Sequence, residues 1–335
     1  MSVELMAGIV LWVGLTLYLL SGGADFGGGI WDLLASGSRA DEQRRAISSA
    51  IGPIWEANHV WLILVLVLSF VCFPSAYSLI MTVLHIPITF MLVGIVLRGS
   101  AFVFRAHDVD RVGVQRGWSL VFSTASVVTP FMLGTCAGAL AAGRIRLPEA
   151  GMSFSFVFIE PWLAAFPLSI GFLTLVQCAY LSAVYLTVEL KDDFFLREDF
   201  RRRALISGVL LGGAAWLSFF LAREGAPVIA DGLSQSPGAL PFMLATGLCA
   251  LGALVLLARR HYRWARALAI GQTVLIMGGW ALSQFPFLVV PRATLFNSAA
   301  PESLVKTVLL VLAAGSILLI PAFLYLYSVF KPLRT

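Results

Sequence analysis

The stretch 52-GPIWEANHVWLILVLVLSFV-71 decides the fold. Its second half is an unbroken apolar run that soluble proteins rarely carry. Its first half sets an acid, an amide, an imidazole and two indoles at the mouth of that run. Ionisable groups are costly inside a bilayer and usually mark a pathway or a partner. The stretch therefore predicts a membrane helix that carries chemistry at one end.

The rest of the chain agrees. Of the 335 residues 59% are hydrophobic and only 12% are charged, against about 25% charged in soluble domains. Mean hydropathy is +0.90. A span needs about 20 apolar residues. Nine runs qualify, near 3–34, 52–73, 77–104, 117–142, 161–188, 203–222, 238–258, 265–288 and 304–329. None alternates with period two, so strands are not expected. The predicted fold class is an all-α polytopic membrane protein of nine transmembrane helices. They form two four-helix bundles, 1–142 and 143–288, with 289–335 giving an outer loop and a peripheral ninth helix. The segment "MSVELMAGIV" has no basic residue before its apolar run and reads as a retained first helix.

The net charge of +5 is not a nucleic-acid signal, because the basic residues cluster between apolar runs. Fifteen fall in the odd-numbered loops or at the span ends that adjoin them, and four in the even-numbered ones. Positive loops stay in the cytoplasm, which predicts the N-terminus outside and the C-terminus inside. Cys72, Cys136, Cys178 and Cys249 all lie in apolar segments without a C-x-x-C pair, so neither a disulfide framework nor a zinc site is indicated.

Two acids fall well within spans, Asp25 and Glu56; Asp32 and Glu189 sit at helix ends and call for no special account. At 1.5 Å per residue, Asp25 is about 33 Å along its helix, near the cytoplasmic side. Glu56 begins the second span and Arg98 ends the third, so three charges from three helices meet at one level. Glu56 and His59 are three apart and share a helix face, with Asn58 beside them. The bland reading is a hydrogen-bonded cluster that holds helices together. The sharper one is a proton path, since desolvation favours a protonated carboxyl that can pass its proton on. Trp55 and Trp61 read as packing or interfacial anchors. The five glycines around Asp25, in "SGGADFGGGIWD", permit close helix approach. They are no nucleotide fingerprint, because no strand precedes them. His59 and His85 lie toward opposite faces and cannot share an iron; His107 and His261 fall in loops. The loop 285–303 is longer than a bundle turn requires, which suits a partner contact.

Four motifs together resemble a known family: "GADFGGGIWDLL" (23–34), "RRAISSAIGPIWEANHVWLI" (44–63), "VLRGSAF" leading to "FRAHD" (96–108), and the spaced "FPF…P…T…FNSA" (285–299). The chain is similar over its whole length to subunit II of the cytochrome bd quinol oxidases, especially the branch termed cyanide-insensitive. The resemblance implies a partner, subunit I, that holds haems b and d and oxidises quinol while oxygen is reduced to water. A small single-helix subunit and membrane lipid are further partners it suggests. It implies no haem or metal ligand in this chain. It puts Glu56 on a proton path at the subunit interface, with Asp25 near it; Asn58, His59, Arg98 and His107 are the other candidates. Many relatives carry an acid where this chain has Val103, in "FVFR", and a valine cannot relay a proton. A secondary transporter and a purely structural subunit are the competing readings.

Overall fold

A computed structural model describes residues 2–51, 55–107, 112–236 and 238–330. Within those helices, the side chains at 51, 55–57, 106–107, 112–116, 327, 328 and 330 lie outside the described set.

The first helix, α1 (Val3–Leu33), starts where the Ser2 hydroxyl accepts from the Leu5 amide at 3.3 Å. A short amphipathic helix, α2 (Ala40–Ile51), follows and buries Ile47 in the apolar core. The deciding stretch forms α3 (Trp55–Cys72). Pro74 then opens a separate helix, α4 (Pro74–Val83), bent from α3 by 115°. Proline suits a first turn because its missing N–H would be unbonded there in any case.

α5 (His85–His107) begins only after a break at Leu84. The third expected span, 77–104, is thus corrected: its first residues belong to α4. Among the described residues eight helices are long and apolar enough to cross a membrane, or nine if the bent pair counts as one span. Pro87 falls in the first turn of α5, where a proline is tolerated, and in a continuous helix it would have interrupted the ladder.

α6 (Val112–Ala141) and the short α7 (Phe154–Phe158) lead to α8 (Ala165–Glu189). α9 (Phe194–Gly225) starts nine residues before the expected 203, because the Asp193 carboxylate caps the Leu196 amide at 3.0 Å and carries the arginine-rich turns into the helix. α10 (Pro227–Gln235), α11 (Ala239–Ala258) and α12 (Tyr262–Gln284) follow.

After α12 comes a feature the period argument did not anticipate. β1 (Phe287–Val289) and β2 (Ala293–Thr294) pair antiparallel inside the loop 285–303. The loop is folded inward: the Ala300 amide donates to the Cys72 carbonyl and the Val290 amide to the Leu140 carbonyl, both at 2.9 Å. Val289, Ala293, Leu295 and Ala300 are buried. Strand runs this short are too brief for a period-two pattern to show.

α8 is the central helix, packed against α1, α6, α9 and α12. One apolar core joins Tyr18, Phe26 and Trp31 of α1 to Phe122, Tyr180 and Phe200. A second, at the other end of α1, joins Val3 and Ala7 to Cys72, Ile145 and the folded loop. α13 (Glu302–Phe330) lies at the margin against α1 and α3, with Phe323 stacked on Trp61 at 5.5 Å. None of its most apolar stretch is buried. Leu248, Leu251, Ile317 and Leu318 project outward, which in water would be an exposed apolar belt and in lipid is an ordinary surface.

Candidate functional site: a charge ladder between helices

Asp25 of α1 and Arg98 of α5 form an ion pair at 2.7 Å, with side-chain exposures of 4% and 2%. Arg98 Nε also donates to Ser126 Oγ of α6 at 3.1 Å, and Nη2 to the Asp25 carbonyl at 3.3 Å. Its guanidinium lies between the Phe26 and Phe122 rings, 5.0 and 5.1 Å from their centres. A cation between two aromatic faces recovers part of the attraction it loses with water. The second carboxylate oxygen of Asp25 is buried without a hydrogen-bond partner among the described residues.

Seven residues on, the pattern repeats. Arg105 donates to Asp32 at 3.0 Å, and the Ser123 hydroxyl donates to the other oxygen of Asp32, also at 3.0 Å. Both pairs are 73 residues apart in sequence. A constant offset means that α1 and α5 run parallel there. Two helical turns, about 11 Å, separate the rungs. α6 supplies a serine to each, and those serines are three apart, so one α6 face serves both.

The glycines of "GADFGGGIWD" explain how the backbones come so close. A Cβ at Gly27 would collide with the Cys178 carbonyl of α8, and one at Gly29 with the Ser126 side chain of α6. Trp31 Nε1 then donates to the Ala179 carbonyl at 2.7 Å, pinning α1 to α8. The packing seam and the polar site are therefore one structure.

From α3, the His59 ring comes 6.3 Å from Tyr18, which also stands 6.3 Å from Phe26. His59 is within electrostatic reach of Arg98 and Asp25. Asn58 is 1% exposed, and neither amide atom has a hydrogen-bond partner among the described residues. The structure thus brings Asp25, Arg98, Asn58 and His59 to one end of the bundle. The side chains of Glu56 and His107 lie outside the described residues. Val103 is 43% exposed on the outer side of α5.

Asp32 corrects the reading that it needs no special account. It is 2% exposed and bound to both Arg105 and Ser123. Nearness to a helix end suggested water, but α6 covers it. The sequence signal was the equal spacing of Asp25 and Asp32, and of Arg98 and Arg105.

His59 and His85 lie far apart. His85 Nδ1 is 2.9 Å from the Thr82 carbonyl and its ring stands 5.2 Å from Phe158, far along the bundle from His59 beside Tyr18. Among the described residues no cluster of three His, Cys, Asp or Glu could hold a metal.

Apolar outward faces, a continuous helical core and two ion pairs buried within it define a polytopic membrane protein with an intramembrane polar site. The sequence profile described as cytochrome bd terminal oxidase subunit II matches residues 3–330, and the chain belongs to that family. A stretch of 125 residues is 34% identical to the cytochrome bd ubiquinol oxidase subunit 2 of Bacillus subtilis (strain 168), covering 37% of this chain and 35% of that protein. The cytochrome bd-I ubiquinol oxidase subunit 2 of Escherichia coli (strain K12) is 25% identical over 185 residues, 53% of this chain and 46% of the relative. The matched stretches thus span about a third to a half of these relatives' own lengths. The structure of bd oxidase from Geobacillus thermodenitrificans superposes with a TM-score of 0.83 at 22% identity, covering 100% of both chains, and shares the fold. The chain is a multi-pass protein of the bacterial inner membrane.

Proposed function

We propose that this chain is the second subunit of a quinol oxidase that reduces oxygen to water. In this reading it packs against a subunit I that holds haems b and d and the quinol site. Its own residues bind no haem; they support the partner and lead protons from the cytoplasm toward the oxygen-reducing centre. The observation that carries the proposal is the family match over residues 3–330. The secondary transporter reading gains nothing from the structure, because the buried acids are held by arginines toward one end of the bundle.

The orientation belongs to the same proposal. With the N-terminus outside, the ladder lies at the cytoplasmic end, where proton uptake must begin. Glu56 is the carrier in this reading, with Asn58 and His59 lining its site and His107 on the same route. Asp25 and Arg98 are the fixed pair in this reading, each engaged by the other at 2.7 Å. With Val103 where the resemblance puts an acid, the path in this reading enters elsewhere, past His107 or Asp108, or the enzyme leans on a route through subunit I.

The test is quinol-driven oxygen uptake by membranes from cells with and without the chain, other terminal oxidases being deleted. Uptake should vanish without the chain and return when it is supplied in trans. Uptake that survives the loss of the chain contradicts the proposal.

A further inference from the structure

A cavity of about 240 Å³ opens where α1 turns into α2 and meets the start of α9, lined by Ser36, Gly37, Ser38, Arg39, Gln43, Asp199, Arg202 and Arg203. That is below the size of pockets for drug-sized ligands, about 300 Å³ and upward, and suits a small group. Three guanidinium groups and one carboxylate line it.

The carboxylate is fully used. Arg39 grips Asp199 through Nη2 at 2.6 Å and Nε at 3.0 Å, and Gln43 Nε2 donates to it at 3.0 Å. Gln43 is 4% exposed and accepts from Arg203 Nη2 at 2.6 Å, so a buried amide holds two walls in place. Glu42 and Asp193 act on Arg39 only at longer range. Arg203 feels Asp199 only at longer range and sets its guanidinium over the Trp31 and Phe200 rings, 5.3 and 5.0 Å from their centres, while its Nη1 is buried without an acceptor among the described residues. Arg202 reaches Glu198 only at 3.6 Å, and Glu198 is shared with Arg201 and Arg260.

A solvated basic face needs neither a buried amide strut nor a buried guanidinium nitrogen without an acceptor. Two cations therefore face a preformed hollow with too little negative charge to balance them. The Ser36 and Ser38 hydroxyls add donors, and Gly37, at φ +78°, allows the turn that presents them. Leu34 and Phe195, both exposed, lie beside the rim, with Phe195 5.8 Å from the Arg39 guanidinium. An apolar rim beside a basic hollow at a helix end matches the boundary where phospholipid phosphates sit.

We propose that this cavity binds a phosphate group, of the kind that an acidic phospholipid headgroup or free phosphate presents. Arg202 and Arg203 supply the charge, and the serines orient the oxygens.

The test uses the detergent-purified, delipidated protein with the subunits that copurify. Its melting temperature is followed while dihexanoyl phosphatidylglycerol, dihexanoyl phosphatidylcholine or inorganic phosphate is added at constant ionic strength. Phosphatidylglycerol should raise it saturably and phosphatidylcholine should not. Arg202→Gln should weaken the apparent affinity about fivefold, the effect of one interfacial arginine, and Arg202→Lys should retain most of it. Arg146→Gln, in the α6–α7 loop, should change nothing. An equal response to inorganic phosphate supports the site and assigns it to soluble phosphate; a response to phosphatidylglycerol alone supports it and assigns it to lipid. The proposal is overturned if the two lipids raise the transition alike, if neither phosphatidylglycerol nor inorganic phosphate shifts it, or if Arg202→Gln titrates like the parent.

Discussion

At the residue scale the ladder separates two kinds of buried charge. Arg98 and Asp25 are locked together and exposed by only 2% and 4%. Removing one partner strands the other, at a cost of about 3–5 kcal/mol, whereas replacing both by apolar groups is close to neutral. Arg98→Met alone should therefore sharply lower the melting temperature of the purified protein. The Asp25→Leu/Arg98→Met double variant should recover most of the loss; equal destabilisation in the single and double variants would show that the pair is not coupled. Glu56 is assigned the other role, and a carrier must gain and lose a proton. Glu56→Asp should keep part of the oxygen uptake and Glu56→Gln should lose most of it, by an order of magnitude or more, with haem content unchanged. Uptake at the parental rate in Glu56→Gln would make the glutamate a packing residue. The meeting of Asp25 with Arg98 was legible from depth along the helices. The Asp32–Arg105 rung was written only in the equal seven-residue spacing of the two acids and the two arginines, because position along a helix says nothing about which neighbour covers its end.

At the scale of elements, the glycines of α1 and the breaks between helices decide the arrangement. A methyl group on Gly27 meets the Cys178 backbone, which cannot rotate away, whereas one on Gly212 of α9 meets nothing within 4 Å. Gly27→Ala should destabilise by about 1–3 kcal/mol, as overpacking does, and Gly212→Ala should be neutral or slightly stabilising. The yield of folded protein by size-exclusion chromatography reads this directly. Equal behaviour of the two variants would contradict the seam. Hydropathy located the long helices, since twenty apolar residues have few alternatives in a bilayer. It missed the α3–α4 bend and the small hairpin, because both depend on where the chain packs. Pro74 was a visible stop, yet composition alone cannot show that the next ten residues turn aside rather than resume the span.

At the scale of the whole molecule, orientation and partnership carry the account. The charge bias predicts a cytoplasmic C-terminus, so a fluorescent reporter fused after Thr335 should fold in the cytoplasm and an alkaline phosphatase fused there should stay inactive. The opposite pattern would put the ladder on the outer side and remove it from proton uptake. The exposed face of α13 and the inward-folded loop at 285–303 leave a broad apolar flank on the α1–α3 side, the kind of surface that a membrane partner or lipid covers. The central claim is that this chain works as the haem-free half of an oxidase. It is tested most directly by purifying the chain through a C-terminal tag from its own membranes and recording the haem spectrum and quinol-driven oxygen uptake of what is retained. The account predicts a second helical subunit in equal amount, haem b and d bands that follow that subunit when the two are separated, and oxygen uptake by the pair. A tagged chain that runs without haem protein, or that carries the haem bands itself after its partner is stripped away, would contradict it.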